Sequence, residues 1–69
     1  MQLYPVSSTN LVGVGYDAAS MTLRIQFHSG LYDYYDVPQA VFEGLMDASS
    51  KGSYHAKYIK DCYRYRRIG

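Results

Sequence analysis

Two histidines, one cysteine and six carboxylates are among the side chains of this 69-residue chain that could move a proton, attack a carbonyl or hold a metal. His55 and Cys62 stand seven residues apart. On one straight helix that is two turns, about 11 Å of rise, whereas a thiol and its imidazole base must come within about 3 Å. They cannot form a nucleophile–base pair there. A lone cysteine does not build a zinc site, and Cys62 reads as a small buried apolar residue. His28 falls in a turn. Asp33 and Asp36 flank a run of tyrosines and read as solvated strand-edge charges. Gly13-Val14-Gly15 is far short of a phosphate-binding loop. No catalytic set, cofactor site or metal site is visible, so no enzymatic activity is expected.

Binding chemistry is better represented. The carboxy-terminal segment interleaves cations with aromatic rings: Lys57, Tyr58, Lys60, Tyr63, Arg64, Tyr65, Arg66 and Arg67. Lysine and arginine neutralise phosphates, and exposed tyrosines stack on bases. The candidate RNA-contacting residues are therefore Lys57, Lys60, Arg64, Tyr65, Arg66 and Arg67. The charge balance agrees. Residues 1–50 hold one basic side chain, Arg24, against five acids, for −4; residues 51–69 hold six against Asp61, for +5. Such asymmetry points to an anionic partner for the tail or to an acidic protein surface. The second reading is a protein-interaction or self-association module, the tail meeting the Glu43/Asp47 face of another copy. A basic helical stripe is also often only a solvated face.

These residues must be positioned by a small frame. The chain is one domain, residues 1–69, with 48% hydrophobic residues, enough for a modest core. Its aromatic residues are nine tyrosines and two phenylalanines, and tyrosine, with an apolar ring and a wet tip, belongs at core boundaries and contact surfaces. One cysteine excludes an intrachain disulfide and favours a reducing compartment. No apolar run approaches the roughly 20 residues of a membrane helix, and residues 1–10 lack the order of a signal peptide. The reading is cytoplasmic, with no membrane association.

Leu11 to Tyr16 alternate as a strand, placing Val12, Val14 and Tyr16 on one face and Gly13 and Gly15, bare enough for a bulge or a close backbone, on the other. Asp17 to Ser20 make a turn. Met21, Leu23, Ile25 and Phe27 alternate with polar residues, the clearest strand in the chain. His28-Ser29-Gly30 turns back, with Gly30 free for positive φ, into a third strand from Leu31 to Val37. Pro38 to Ala48 form an amphipathic helix in which Gly44 marks a close contact. Tyr54 to about Tyr63 form a second, capped by Ser53, with Lys57, Lys60 and Arg64 as an outward stripe. The tail from Arg64 either continues that helix or runs extended against an open sheet edge. The fold class is α+β: a three-stranded antiparallel β-meander followed by two α-helices packed on one face. The expected core is Val12, Val14, Leu23, Ile25, Phe27, Val41, Phe42, Leu45, Ile59 and Cys62. Strand parity puts Tyr32 and Tyr34 toward the helices and Asp33 on the wet face, because a buried unpaired carboxylate is costly.

Several of these residues together resemble a known family. Val6-Ser7-Ser8, Leu11, Val14-Gly15-Tyr16-Asp17, Leu23 to Phe27, Ser29-Gly30, Tyr32-x-Tyr34 and Val37-Pro38 are followed by Ala48-Ser49, Gly52-x-Tyr54, Ile59 and the basic, tyrosine-rich end. In that order they are similar to the KTSC domain, from Val6 nearly to the end. That family takes its name from a carboxy-terminal extension of some lysyl-tRNA synthetases and also occurs as free-standing small bacterial proteins. The resemblance implies Tyr32 and Tyr34 as the family's Tyr-x-Tyr motif, and its synthetase context implies an RNA partner. Two positions depart from the pattern: Asp36 where glycine is expected, and Tyr54-His55-Ala56 where an aromatic followed by Phe-Asn is usual.

Overall fold

The computed structural model describes residues 1–69 as a five-stranded antiparallel sheet with two helices against one face. In chain order the elements are β1 (Tyr4–Pro5), β2 (Leu11–Asp17), β3 (Thr22–Phe27), β4 (Gly30–Tyr34), α1 (Gln39–Asp47), α2 (Lys51–Tyr58) and β5 (Tyr65–Arg67). The strands lie in the order β1-β2-β3-β4-β5. The α+β class and the central meander are as the sequence predicts; the strand count of three is not. Two short edge strands, β1 and β5, complete the sheet. β5 is the extended one of the two alternatives for the tail, laid against the open edge of β4; β1, of two residues, carries too little alternation to be read from a sequence.

The register fixes what each face carries. Tyr16, Leu23, Tyr34 and Tyr65 lie in one cross-strand row, and Val14, Ile25, Tyr32 and Arg67 in the next, all on the helix side. On the opposite side Gly15, Arg24, Asp33 and Arg66 line up. The eight fully packed apolar side chains are Leu11, Val14, Leu23, Ile25, Tyr34, Val37, Leu45 and Ile59. Phe42 stacks on Tyr16 at 5.0 Å between ring centroids and so belongs to the margin of this core, as do Phe27 and Val41.

Val12 is a correction. It is 42% exposed, whereas Leu11 is buried. The ladder shifts between Leu11 and Gly13, leaving Val12 as the extra residue of a β-bulge. A bulge inverts the alternation on one side of it, so Leu11 joins the face of Val14. The glycines do what bare positions allow. A Cβ on Gly15 would lie 2.6 Å from the Gln2 carbonyl oxygen, so the amino-terminal backbone occupies that space. Gly30 has no positive φ; the Arg67 guanidinium covers it instead, 2.7 Å from where a Cβ would be. A Cβ on Gly44 would run into the Tyr54 ring, the close helix–helix contact that its place in α1 predicts.

The second helix starts and ends earlier than its periodicity indicates. Ser50, not Ser53, is the N-cap, its side chain accepting from the Ser53 N–H. After Tyr58 the chain turns: the His55 carbonyl accepts from both Ile59 and Lys60 N–H groups, at 3.0 and 2.9 Å. Stopping there buries Ile59 and leaves enough chain for Tyr65–Arg67 to reach the open edge of β4. The same turn carries Cys62 out to solvent, so its core assignment fails. Lys51 closes the other helix by donating to the Met46 and Ala48 carbonyls at 3.0 and 2.9 Å, satisfying groups that the end of α1 leaves open.

Candidate functional site

Where β3, β4 and β5 meet the turn after α2, the helix-side rows end in an open cleft of about 260 Å³. Its lining is Phe27, Ser29, Tyr32, Tyr34, His55, Lys60, Asp61 and Tyr65. Strand parity delivers Tyr32, Tyr34 and Tyr65 to it from adjacent strands. Phe27 stands edge-on to both Tyr32 and His55, at 5.6 and 4.9 Å between centroids. Tyr65 tilts over Tyr32 and Tyr34 at 6.0 and 5.7 Å. The rings grade from a buried floor to an open rim: Tyr34 is 4% exposed and Tyr65 56%. Lys60 and Asp61 add one charge of each sign at the mouth.

The floor is a polar pair. The Tyr34 hydroxyl and His55 Nε2 lie 2.9 Å apart. Burial lowers the His55 pKa, with the Lys60 charge adding to the effect and Asp61 opposing it. Burial, helped by Tyr32 and Tyr65, pushes Tyr34 up to about 12. Both shifts favour the neutral forms, so the pair is a hydrogen bond between a phenol and a neutral imidazole, its direction set by the imidazole tautomer. A phenol this reluctant to ionise is a poor nucleophile or base. The arrangement holds two rings in place and walls a cleft with π-faces.

The tail residues do not form one patch. Lys60 and Tyr65 reach the cleft. Lys57 lies over the Tyr58 ring at 5.3 Å on the exposed side of α2. Because α2 ends at Tyr58, the expected stripe of Lys57, Lys60 and Arg64 does not exist as a helical face. Arg64 sits over Tyr35 at 5.5 Å, and its carbonyl accepts from the Tyr35 N–H. Arg66 points to the opposite face, across from Asp33. Arg67 lies beside Tyr32 but donates to the Gly69 and Ser29 carbonyls at 3.1 and 2.9 Å. Asp33 is on the face that parity assigns, yet buried rather than wet. Arg24 pairs with it bidentately, at 2.7 and 2.9 Å, which removes the cost that the wet-face argument rested on.

Sequence reasoning missed Phe27, His55 and Asp61 as cleft residues. Parity places Phe27 on the correct face, but nothing in the sequence gives the rotation of α2 that swings His55 onto Tyr34. A larger hollow of about 490 Å³, bounded by Ser7–Thr9 and Ser49–Gly52, is lined by no hydrophobic residue, and its one cation, Lys51, is held by two carbonyls. His, Cys, Asp and Glu side chains nowhere gather in threes. No helix is long and apolar enough to cross a membrane.

A sequence model of the KTSC domain matches residues 7–65. Among solved structures, the crystal structure of a KTSC domain protein from Yersinia pestis superposes with a TM-score of 0.96 at 39% identity, covering 99% of this chain and 97% of that one. A protein of Stutzerimonas stutzeri is 37% identical over 70 residues, 99% of each chain. A lysine–tRNA ligase of Trichormus variabilis is 41% identical over 54 residues, 77% of this chain but only 10% of the ligase. The chain thus spans about a tenth of the ligases it matches.

Proposed function

The chain belongs to the KTSC domain family, and from that premise we propose that it is a small non-enzymatic binding module that takes single-stranded RNA at the aromatic cleft. The observation that carries the reading is the cleft itself: Tyr32, Tyr34, Tyr65 and Phe27 around a space of about 260 Å³, with Lys60 at its mouth. The space is below the roughly 300–1,000 Å³ of sites that enclose drug-sized ligands, and its graded rings suit one unstacked base lying against Tyr65. Stacking of this kind is tolerant of sequence. Lys60 would meet a flanking phosphate. That relatives of this domain stand within lysine–tRNA ligases supports an RNA partner. An exposed, unpaired Cys62 suits the reducing cytoplasm.

Titration with short single-stranded RNAs at two salt concentrations tests the proposal. Affinity should fall with salt, with Lys60→Gln reducing the slope of log K against log salt by about one. Tyr65→Ala, at a position more than half exposed, should leave the fold intact and cost about 1–3 kcal/mol of binding. Absence of binding at low salt removes the RNA reading. Unchanged binding by Tyr65→Ala removes the cleft from it.

A further inference from the structure

Besides the cleft, β5 carries a second binding feature, which does not depend on RNA. The Tyr35 N–H donates to the Arg64 carbonyl at 2.9 Å, and the Ile68 N–H donates to the Leu31 carbonyl at 2.8 Å. In an antiparallel ladder hydrogen-bonded pairs alternate with non-bonded ones. Arg64 opposite Tyr35 and Ile68 opposite Leu31 therefore make Arg66 opposite Asp33 the bonded pair between them. Tyr65 and Arg67, paired with Tyr34 and Tyr32, are non-bonded. Their N–H and C=O groups point away from β4, to the free edge of the sheet, because β5 ends the strand order. All three residues of β5 are exposed. An open edge of this kind is a template for another strand unless something guards it.

The charges say which strand. Arg64, Arg66 and Arg67 lie within four residues along this edge. Asp33, across from Arg66, is already held by both nitrogens of its Arg24 contact. Arg67 touches only carbonyl oxygens and Arg64 a ring, so neither is neutralised. A second copy pairing through β5 would set arginine beside arginine, and like charges opposite one another destabilise a ladder. We propose that β5 is a strand-addition site for an extended acidic segment of a partner protein, bound through the main-chain groups of Tyr65 and Arg67. Its acidic side chains would lie beside Arg66, on the face opposite the helices. A residue next to Tyr65 would fall on the helix side, at the lip of the cleft.

The probe is an eight-residue peptide in which glutamate alternates with threonine and tyrosine, titrated into the full chain. Binding is expected, with amide exchange at Tyr65 and Arg67 slowed at least tenfold. The Arg66 amide, already bonded to β4, should change little. N-methylation of alternate peptide amides in the register that faces β5 should weaken binding at least tenfold; in the other register it should not. Replacing glutamate by lysine should abolish binding, and Arg66→Glu should restore part of it. Four results overturn the proposal: no binding of the acidic peptide, equal binding of both N-methylated forms, protection confined to other amides, or a concentration-dependent dimer of the free chain that protects Tyr65 and Arg67.

Discussion

The Tyr34 hydroxyl meets His55 Nε2 at 2.9 Å, joining the middle of the sheet to α2 beneath the cleft. One residue thus supplies a core ring, a cleft floor and a cross-layer hydrogen bond. Tyr34→Ala should cost about 3–5 kcal/mol, the usual range for a large aromatic truncated in a core. Tyr34→Phe keeps the packing and leaves Nε2 without its hydrogen-bond partner, for about 1 kcal/mol. Chemical denaturation of both variants checks the ratio; equal losses would mean that the hydrogen bond, not the ring, dominates.

The same pair sets how stability follows pH. The folded His55 pKa lies below the ordinary 6.5, chiefly through burial. Below 6.5 the unfolded chain takes up a proton that the folded chain resists, so stability falls as pH drops from there to the folded pKa. Tyr34 acts at the other end. Its folded pKa of about 12 against 10.0 unfolded makes stability decline between those values, by about 3 kcal/mol for two units. Urea midpoints across pH should show both limbs, and His55→Gln should flatten the acid one.

On the opposite face, Arg24 and Asp33 should respond unequally to truncation. Asp33 has 9% side-chain exposure and Arg24 30%. Removing the carboxylate frees a guanidinium that can turn to water. Removing the guanidinium strands a buried charge. Arg24→Leu should therefore cost more than Asp33→Asn, about 3 against about 1–2 kcal/mol, and the double variant less than the sum.

Gly44 sits in the middle of α1, where alanine would ordinarily stabilise by about 1 kcal/mol. The Tyr54 ring fills the space its Cβ needs. Gly44→Ala should instead destabilise by about 1–3 kcal/mol. Tyr54→Phe, which removes the nearest atom, should recover part of that loss in a double-mutant cycle.

How much of this was legible in the sequence follows from the length of the signals. β3 alternates over six residues, and its inward Leu23 and Ile25 are as expected. Parity puts Tyr32 and Tyr34 on one face and Asp33 on the other, and the cost of an unpaired buried carboxylate turned the tyrosines toward the helices. Gly44 announced its contact by being a poor helix residue. Val12 misled because a bulge changes parity without changing composition. Cys62 misled because helical periodicity says nothing of where the helix stops. Asp33 was placed on the correct face, but its burial depended on Arg24, a partner nine residues away that only register identifies. Asp36, where the resemblance leads one to expect glycine, has φ of 58°, a conformation that glycine adopts freely and aspartate tolerates.

The cleft's outer wall is also the strand with the longest connection to its neighbour in the sheet. The strands from β1 to β4 join through short connections, but thirty residues and both helices separate Tyr34 from Tyr65. Closing that loop carries an entropic cost that the hairpins avoid, and β5 brings no buried side chain to offset it. Its detachment should therefore require less free energy than global unfolding. The rim around Tyr65 can then open and close on its own, letting a ligand enter from the edge while Tyr34, His55 and the core beneath them stay folded.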